Sequence, residues 1–201
     1  ANGRKFTGVS LMIKVVIFDF FDVLRTDGFN RWLRQNGYEH SGDILAATQA
    51  HDRGELNDKE FFQALADISG QSAEKLEYEL EDANELNQSL VDYIRELKRD
   101  YKIALLSNSA SDYLRNEIAK YDLEQYFDEI VISSEVKLIK PEPAVFEHIL
   151  KKLDARPEDC VFTDDNPRYA EAAQKLGIHG IVFTGTEAFK QEFSKLVSGQ
   201  A

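Results

Sequence analysis

The feature that most constrains this chain is a series of five short apolar runs separated by segments with helical patterning. Each run is rich in β-branched or aromatic residues, which is typical of strands that are buried on both faces of a sheet. This alternation predicts an α/β fold with a doubly wound parallel sheet. The predicted strands cover residues 14–18, 101–106, 129–132, 159–163 and 180–183, and the helices between the later strands cover residues 112–120, 142–153 and 168–176.

The predicted strands are unevenly spaced along the chain. About 80 residues separate the first two, whereas later neighbours lie about 20 to 30 residues apart. The long interval has helical patterning at residues 29–36, 42–53, 58–69 and 72–84, with Asn57 or Asp58 and Ser72 as candidate N-caps. We therefore expect a core formed by residues 12–27 and 89–201, and an inserted α-helical cap at residues 28–88. Residues 1–11 lack the apolar stretch of a signal peptide, so we expect a tag remnant or flexible extension there.

Composition excludes several classes of function. The chain has 201 residues, of which 43% are hydrophobic, so it can bury a substantial core. Its net charge of −12 argues against a general binder of nucleic acid or of anionic membranes, because a surface of that sign repels phosphate groups. Phosphate chemistry on this chain would therefore need a metal ion. The single cysteine, Cys160, cannot form an internal disulfide, and no apolar run reaches the ~18 residues of a membrane span, so we expect a cytoplasmic location.

Polar residues stand at the predicted carboxyl ends of the strands, where catalytic groups of doubly wound sheets collect. Three of them are carboxylates, which repel one another around a shared crevice unless a divalent cation neutralises them. Hard oxygen ligands in that number suit Mg²⁺. The hydroxyl, amide and ammonium groups that accompany them suit a phosphoryl group. In chain order the candidates are Asp19, Ser107, Asn108, Lys140, Asp164 and Asp165.

These residues stand in four motifs that resemble, in the same order, the signatures of the haloacid dehalogenase superfamily. The likeness extends from Lys14 to about Leu196. The helical insertion resembles the family's small α-helical cap. The fourth motif resembles the family's sugar-phosphate phosphatases, such as the bacterial α-glucose-1-phosphate phosphatase type and the phosphatase domain of bifunctional epoxide hydrolases. The motifs are FDFFDVL at residues 18–24, LSN at 106–108, KP at 140–141 and FTDDN at 162–166.

The resemblance implies hydrolysis of a small phosphorylated metabolite in two steps. Asp19 would attack phosphorus, and water would then release the aspartyl-phosphate. Ser107 and the backbone of Asn108 would bind phosphoryl oxygens, while Lys140 would neutralise charge on the phosphate and on Asp19. The resemblance also implies a bound Mg²⁺ ion. Its implied ligands are the carboxylates of Asp19, Asp164 and, through water or in an outer shell, Asp165, together with the backbone carbonyl of Phe21.

One position departs from the family pattern. The family's usual second aspartate, two residues after the nucleophile, is Phe21 here, and a phenyl ring cannot move protons. We therefore expect slow turnover and a preference for good leaving groups, because general acid–base catalysis contributes about 10²- to 10⁴-fold. Asp22 could replace the missing carboxylate only if the loop were rearranged, and a loop-stabilising role is the simpler interpretation.

Phe21 also leaves two alternatives open. The family's 2-haloacid dehalogenases carry an aromatic residue at this position, although their fourth motif generally lacks the acidic pair that Asp164 and Asp165 form here. A catalytically weak binding or regulatory module is the second alternative. In the predicted cap, Arg53 and His51 lie near a helix end. By the resemblance these two side chains would contact substrate, and otherwise they interact only with the helix C-terminus.

Overall fold

Five parallel strands form a single sheet in the order β3-β2-β1-β4-β5. A computed structural model of the chain describes residues 12–82 and 84–199, so the predicted extension at residues 1–11 lies outside the described residues. The predicted doubly wound α/β fold is confirmed, and each predicted strand boundary lies within one residue of the observed one. The strands are β1 Val15–Phe18, β2 Lys102–Ser107, β3 Glu129–Ile132, β4 Cys160–Asp164 and β5 His179–Val182.

Helices cover both faces of the sheet, which explains why the strands are apolar throughout. Alternate residues of β1 point to opposite faces, so Val16 and Phe18 join one buried cluster while Val15 and Ile17 join the other. The core helices are α5 Gln88–Leu97, α6 Ser111–Lys120, α7 Ser133–Val136, α8 Pro143–Leu153, α9 Pro167–Lys175 and α10 Thr186–Val197. Within the described ranges, no helix combines the length and the apolar character needed to cross a membrane.

Four helices between β1 and α5 pack around a separate hydrophobic cluster that includes Trp32, Phe61 and Leu76. We propose that they form the predicted cap. Ser72 is an N-cap as predicted, whereas the last helix ends three residues before its predicted end, where the amide of Asn84 donates hydrogen bonds to the final carbonyls. The four helices are α1 Gly28–Asn36, α2 Gly42–Asp52, α3 Asp58–Ser69 and α4 Ala73–Glu81.

The cap is joined to the core by two chain segments that pair with each other. The backbone amide of Thr26 donates to Glu85, whose own amide donates to the Thr26 hydroxyl. Arg25 and Leu86 form an antiparallel bridge beside them. Inside the cap, α1 approaches α4 closely at Gly28, where a Cβ atom would lie 1.7 Å from the carbonyl oxygen of Leu80. A residue without a side chain is therefore required at position 28.

Candidate active site

The carboxyl ends of β1 and β4 bring Asp19 and Asp164 to either side of one buried ammonium. Nζ of Lys140 lies 2.7 Å from Oδ1 of Asp19 and 2.6 Å from Oδ2 of Asp164. The Lys140 side chain is 1% exposed, so both contacts are made out of water. Burial opposes the charge on Lys140, but the two carboxylates outweigh it and raise the pKa of this lysine above its ordinary value.

Asp165 completes a cluster of three carboxylates. Asp19, Asp164 and Asp165 each offer one oxygen, and these oxygens all lie within 4.8 Å of one another. Burial raises the pKa of Asp165 to about 7, with Asp164 and Asp22 adding to the effect. Burial likewise raises the pKa of Asp19 well above its usual range, although Lys140 opposes the shift. The three carboxylates share one ammonium, so two negative charges remain that a divalent cation would balance. The donor set therefore fits Mg²⁺.

Asn108 positions the loop that carries Lys140. Its side-chain carbonyl accepts a hydrogen bond from the amide of Lys140 at 2.8 Å, and its amide group donates to the Lys140 carbonyl at 3.1 Å. Ser107 is fully buried at the end of β2, and its hydroxyl has no hydrogen-bond partner among the described residues. Neither residue caps α6, which begins after Ala110 without a side-chain cap.

Phe21 forms part of the wall of the site, where its ring does not come between Asp19 and Lys140. The ring stacks on Tyr113, with centroids 6.2 Å apart and an interplanar angle of 12°. The Tyr113 hydroxyl in turn accepts a hydrogen bond from Arg25 at 2.8 Å. Asp22 has a left-handed backbone, and its carboxylate accepts hydrogen bonds from the amide of Asp27 and from Asn30. These contacts support the interpretation of Asp22 as a loop-stabilising residue.

A cavity of about 220 Å³ lies between the cap and the strand ends. Asp19, Lys140, Asn108 and Asp165 line its core side, whereas Ser107 and Asp164 are not among the lining residues. The cap side is rich in aromatic and acidic residues, most of which are not candidates from the sequence; Phe29, which the sequence places near the cap entrance, is an exception. Among these are Asp27, Phe29, Asp52, Phe61, Glu77 and Glu81.

Two of the missed carboxylates lie deep in the cavity. Asp27 precedes α1 and accepts hydrogen bonds from the amides of Phe29 and Asn30, so it is also the N-cap of that helix. Its pKa is raised to about 6, chiefly by burial. Asp52, at the end of α2, has a pKa raised to about 7 by burial, with Lys140 opposing the shift. The N-cap pattern before residue 28 could have identified Asp27, whereas no sequence signal indicated which way Asp52 would face.

Arg53 does not line the cavity, in contrast to its predicted role in substrate binding. Arg53 is the C-cap of α2, and its guanidinium pairs with Glu142 of the core. The hydroxyl of Ser133 donates to the Asp52 carbonyl at 2.6 Å beside this pair, and Lys137 donates to the carbonyl of Gly54 at 3.2 Å. We call these three contacts the latch, since they join cap and core at a distance from the paired linkers.

His51, the other cap residue considered for substrate contact, does line the cavity. Its ring stacks on Phe61 with centroids 4.3 Å apart, and its Nε2 lies 2.8 Å from Oδ1 of Asp58. The ring therefore forms part of the cap wall.

Comparison with protein families matches residues 13–177 to the haloacid dehalogenase-like hydrolases, which is most of the chain. The chain belongs to this family. The matched region contains all four motifs and the inserted helices. Membership agrees with the three-carboxylate cluster, with Lys140 between two of its members, at the carboxyl ends of the parallel strands.

Several named proteins and solved structures are similar to this chain. Pyrophosphatase PpaX of Bacillus cereus is 27% identical over 114 residues, which is 53% of each protein. The chain thus aligns with about half the length of PpaX. A phosphorylated carbohydrates phosphatase of Thermotoga maritima is 34% identical over 80 residues, 40% of this chain and 37% of that protein. A family enzyme from Bacteroides thetaiotaomicron, solved with magnesium and inorganic phosphate, superposes with a TM-score of 0.71 at 21% identity, covering 90% of this chain and 99% of that structure.

Proposed function

We propose that this hydrolase is a Mg²⁺-dependent phosphatase that acts on a small phosphorylated metabolite through an aspartyl-phosphate on Asp19. The observation that carries the proposal is the ammonium of Lys140 in contact with both Asp19 and Asp164, beside the third carboxylate of Asp165. The proposed nucleophile, Asp19, thus lies beside the ammonium of Lys140, in a cluster of carboxylates whose negative charge a divalent cation would balance. The phosphatase relatives and the related structure with magnesium and phosphate support the same chemistry.

The proposed metal ligands are the residues that the cluster brings together. Asp19, Asp164 and Asp165 would supply carboxylate oxygens, and the backbone carbonyl of Phe21 would supply a fourth oxygen. When bound, Mg²⁺ supplies positive charge that lowers the repulsion between a phosphate and the nucleophile. Burial raises the pKa values of Asp19 and Asp165, and a bound divalent cation would oppose this rise by favouring the charged carboxylates.

Asp19 would donate an electron pair from a carboxylate oxygen to phosphorus, and the bond from phosphorus to the leaving oxygen would break as the new bond forms. Lys140 would hold the carboxylate in position and balance charge on the transferring group. The unpartnered hydroxyl of Ser107 and the backbone amide of Asn108 would donate hydrogen bonds to phosphoryl oxygens, and the uncapped N-terminus of α6, which begins after Ala110, would add further donors. Water would then cleave the aspartyl-phosphate and regenerate the free carboxylate.

Phe21 limits which esters can react. No proton donor stands at this position to protonate the leaving oxygen, so the proposal favours leaving groups that depart as stable anions, such as those of sugar 1-phosphates or acyl phosphates. Asp22 does not fill the role, since its carboxylate is engaged by Asp27 and Asn30. The acidic pair Asp164 and Asp165 weighs against the dehalogenase alternative, which needs no metal.

A phosphate-release screen over sugar phosphates, acyl phosphates and aryl phosphates tests the proposal. We expect release to require Mg²⁺ and to disappear in Asp19→Asn, while Asp92→Asn, an exposed aspartate of α5, serves as the matched control. Halide release from 2-haloacids without metal would instead establish the dehalogenase. Ligand binding without either reaction would establish a binding module.

A further inference from the structure

The cap side of the cavity carries an unusual combination of charge and aromatic surface. Lys140 is the only lysine or arginine among the lining residues in the described part of the chain, and its ammonium is held between Asp19 and Asp164. Arg53 follows the cavity residue Asp52 in the sequence, but its guanidinium pairs with Glu142. Among the described residues, the space that would hold the leaving group therefore contains no lysine or arginine that is free to receive a second anionic group.

Three carboxylates in this space have no hydrogen bond or ion pair to their side chains within the described residues. Asp52 faces the interior near Lys140, while Glu77 and Glu81 of α4 lie at the exposed side of the cavity. Other acidic groups nearby are already engaged: Asp58 contacts His51, and Asp27 accepts two backbone amides. The three free carboxylates thus extend from the mouth of the cavity to its inner end.

Aromatic rings lie beside these carboxylates. Phe29 contacts Phe61 with ring centroids 6.1 Å apart, and Phe61 stacks on His51. Phe29 also contacts His40 edge-on, with centroids 5.5 Å apart. Burial lowers the pKa of His40, which keeps this imidazole neutral. Aromatic faces next to carboxylates attract organic cations through both the ring quadrupole and the negative charge.

We propose that the leaving group of the natural substrate carries a positively charged amine beside an apolar or aromatic face, and that phosphate esters with a second anionic group are excluded. This inference rests on the proposed phosphatase function. The carboxylate of Asp52 pairs with the amine, the rings of Phe29 and Phe61 contact the apolar face, and Glu77 and Glu81 attract the cation at the cavity mouth. The cavity of about 220 Å³ accommodates a small leaving group. A pyrophosphate-like substrate would place its second phosphate against Asp52.

Three aryl phosphates of similar size test the proposal with the Mg²⁺-loaded protein: phenyl phosphates with an aminomethyl, a hydroxymethyl or a carboxymethyl group in the para position. Aryl leaving groups depart as stabilised anions, so their departure does not need the proton donor that is missing at position 21. We expect kcat/KM to be greatest for the amine and at least about tenfold lower for the carboxylate, with the alcohol between them. Attraction or repulsion between two unit charges a few ångströms apart in a partly solvated cavity changes a binding equilibrium by roughly tenfold or more.

Asp52→Asn tests the assigned carboxylate. We expect this variant to reduce the amine-to-carboxylate ratio about threefold or more, whereas Asp67→Asn, an exposed aspartate of α3 outside the cavity, should leave the ratio and the activity unchanged. The same order of affinity should appear when the three phosphates bind to Asp19→Asn in a calorimeter. This binding measurement does not require turnover.

The possible outcomes separate the inference from the function on which it rests. Equal kcat/KM for the three phosphates, or preference for the carboxylate, would overturn the inference and leave the phosphatase standing. If Asp52→Asn leaves the amine-to-carboxylate ratio of kcat/KM unchanged, Asp52 does not have the proposed role. Absence of Asp19-dependent phosphate release from all three compounds would overturn the proposed function, and the inference with it.

Discussion

Replacing Lys140 with methionine tests the balance of charge at the centre of the site. Methionine retains most of the apolar length of lysine, so the change removes the ammonium without opening a large cavity. The side chains of Lys140 and Asp164 are 1% and 0% exposed, and that of Asp19 is 8% exposed. Removing one partner of a buried ion pair costs about 3–5 kcal/mol, because the remaining charge stays buried without compensation. We expect Lys140→Met to lower the free energy of unfolding by about 4 kcal/mol at pH 8 in EDTA.

Urea unfolding followed by circular dichroism measures this free energy. Lys152→Met is the matched control, since the Lys152 side chain is 53% exposed and lies 3.6 Å from Glu129. A surface pair of this kind contributes about 0–1 kcal/mol. Adding Mg²⁺ should return part of the stability lost in Lys140→Met, because the cation compensates the same carboxylates. A loss at pH 8 in EDTA no larger than that of the control would refute the reasoning.

The loss in Lys140→Met should also be smaller at pH 5 than at pH 8. Burial raises the pKa of Asp19 above its unfolded value, and removing the lysine that opposes this shift raises it further. The folded variant therefore binds a proton that the unfolded chain has released, so the protonated carboxylate favours folding at low pH. That contribution is lost as the pH rises through the folded pKa.

Three further predictions concern other positions. Phe21→Asp should increase kcat for alkyl phosphates about tenfold or more by supplying an acid, while Phe21→Ala should not; an unchanged rate in folded Phe21→Asp would contradict this account. Burial raises the pKa of Asp52 to about 7; the charge of Asp27 adds to this shift, whereas Lys140 and Arg53 oppose it. Above that pH the buried carboxylate is charged, and its charge lowers the free energy of unfolding. Urea unfolding should find Asp52→Asn more stable than wild type by about 2 kcal/mol at pH 8 and by less at pH 5. Gly28→Ala should lower the melting temperature more than Gly37→Ala, because only the former brings a Cβ atom to 1.7 Å from Leu80.

The sheet and the core side of the site could be predicted from the sequence for the same physical reason. Strands buried on both faces must be apolar along their length, so polar residues such as Asp19 and Asp164 mark where a strand ends. Parallel strands place those ends at one edge of the sheet, which brings together residues far apart in the chain. Lys140 was predictable because its motif resembles that of the family.

The cap side of the site could not be predicted in the same way. Whether Asp52 or Arg53 faces the cavity depends on the rotation of α2 and on the turn after it, which tertiary contacts with Ser133 and Glu142 determine. Charge and helical periodicity identify both residues as polar but do not distinguish them. The predictions from the sequence also omit α5 and α10, although the spacing of Leu90, Val91, Ile94 and Leu97 after the N-cap Asn87 made α5 detectable by helical periodicity.

The latch would couple the contact between Asp52 and the leaving group to any movement of the cap. Residues 52–54 carry both the Asp52 carboxylate that faces the cavity and the backbone carbonyls that Ser133 and Lys137 hold. Rotation of the cap about its paired linkers would withdraw Asp52 from the cavity as those hydrogen bonds break. A tighter latch would therefore lengthen the residence time of product together with that of substrate, so affinity and turnover frequency should vary in opposite directions among latch variants.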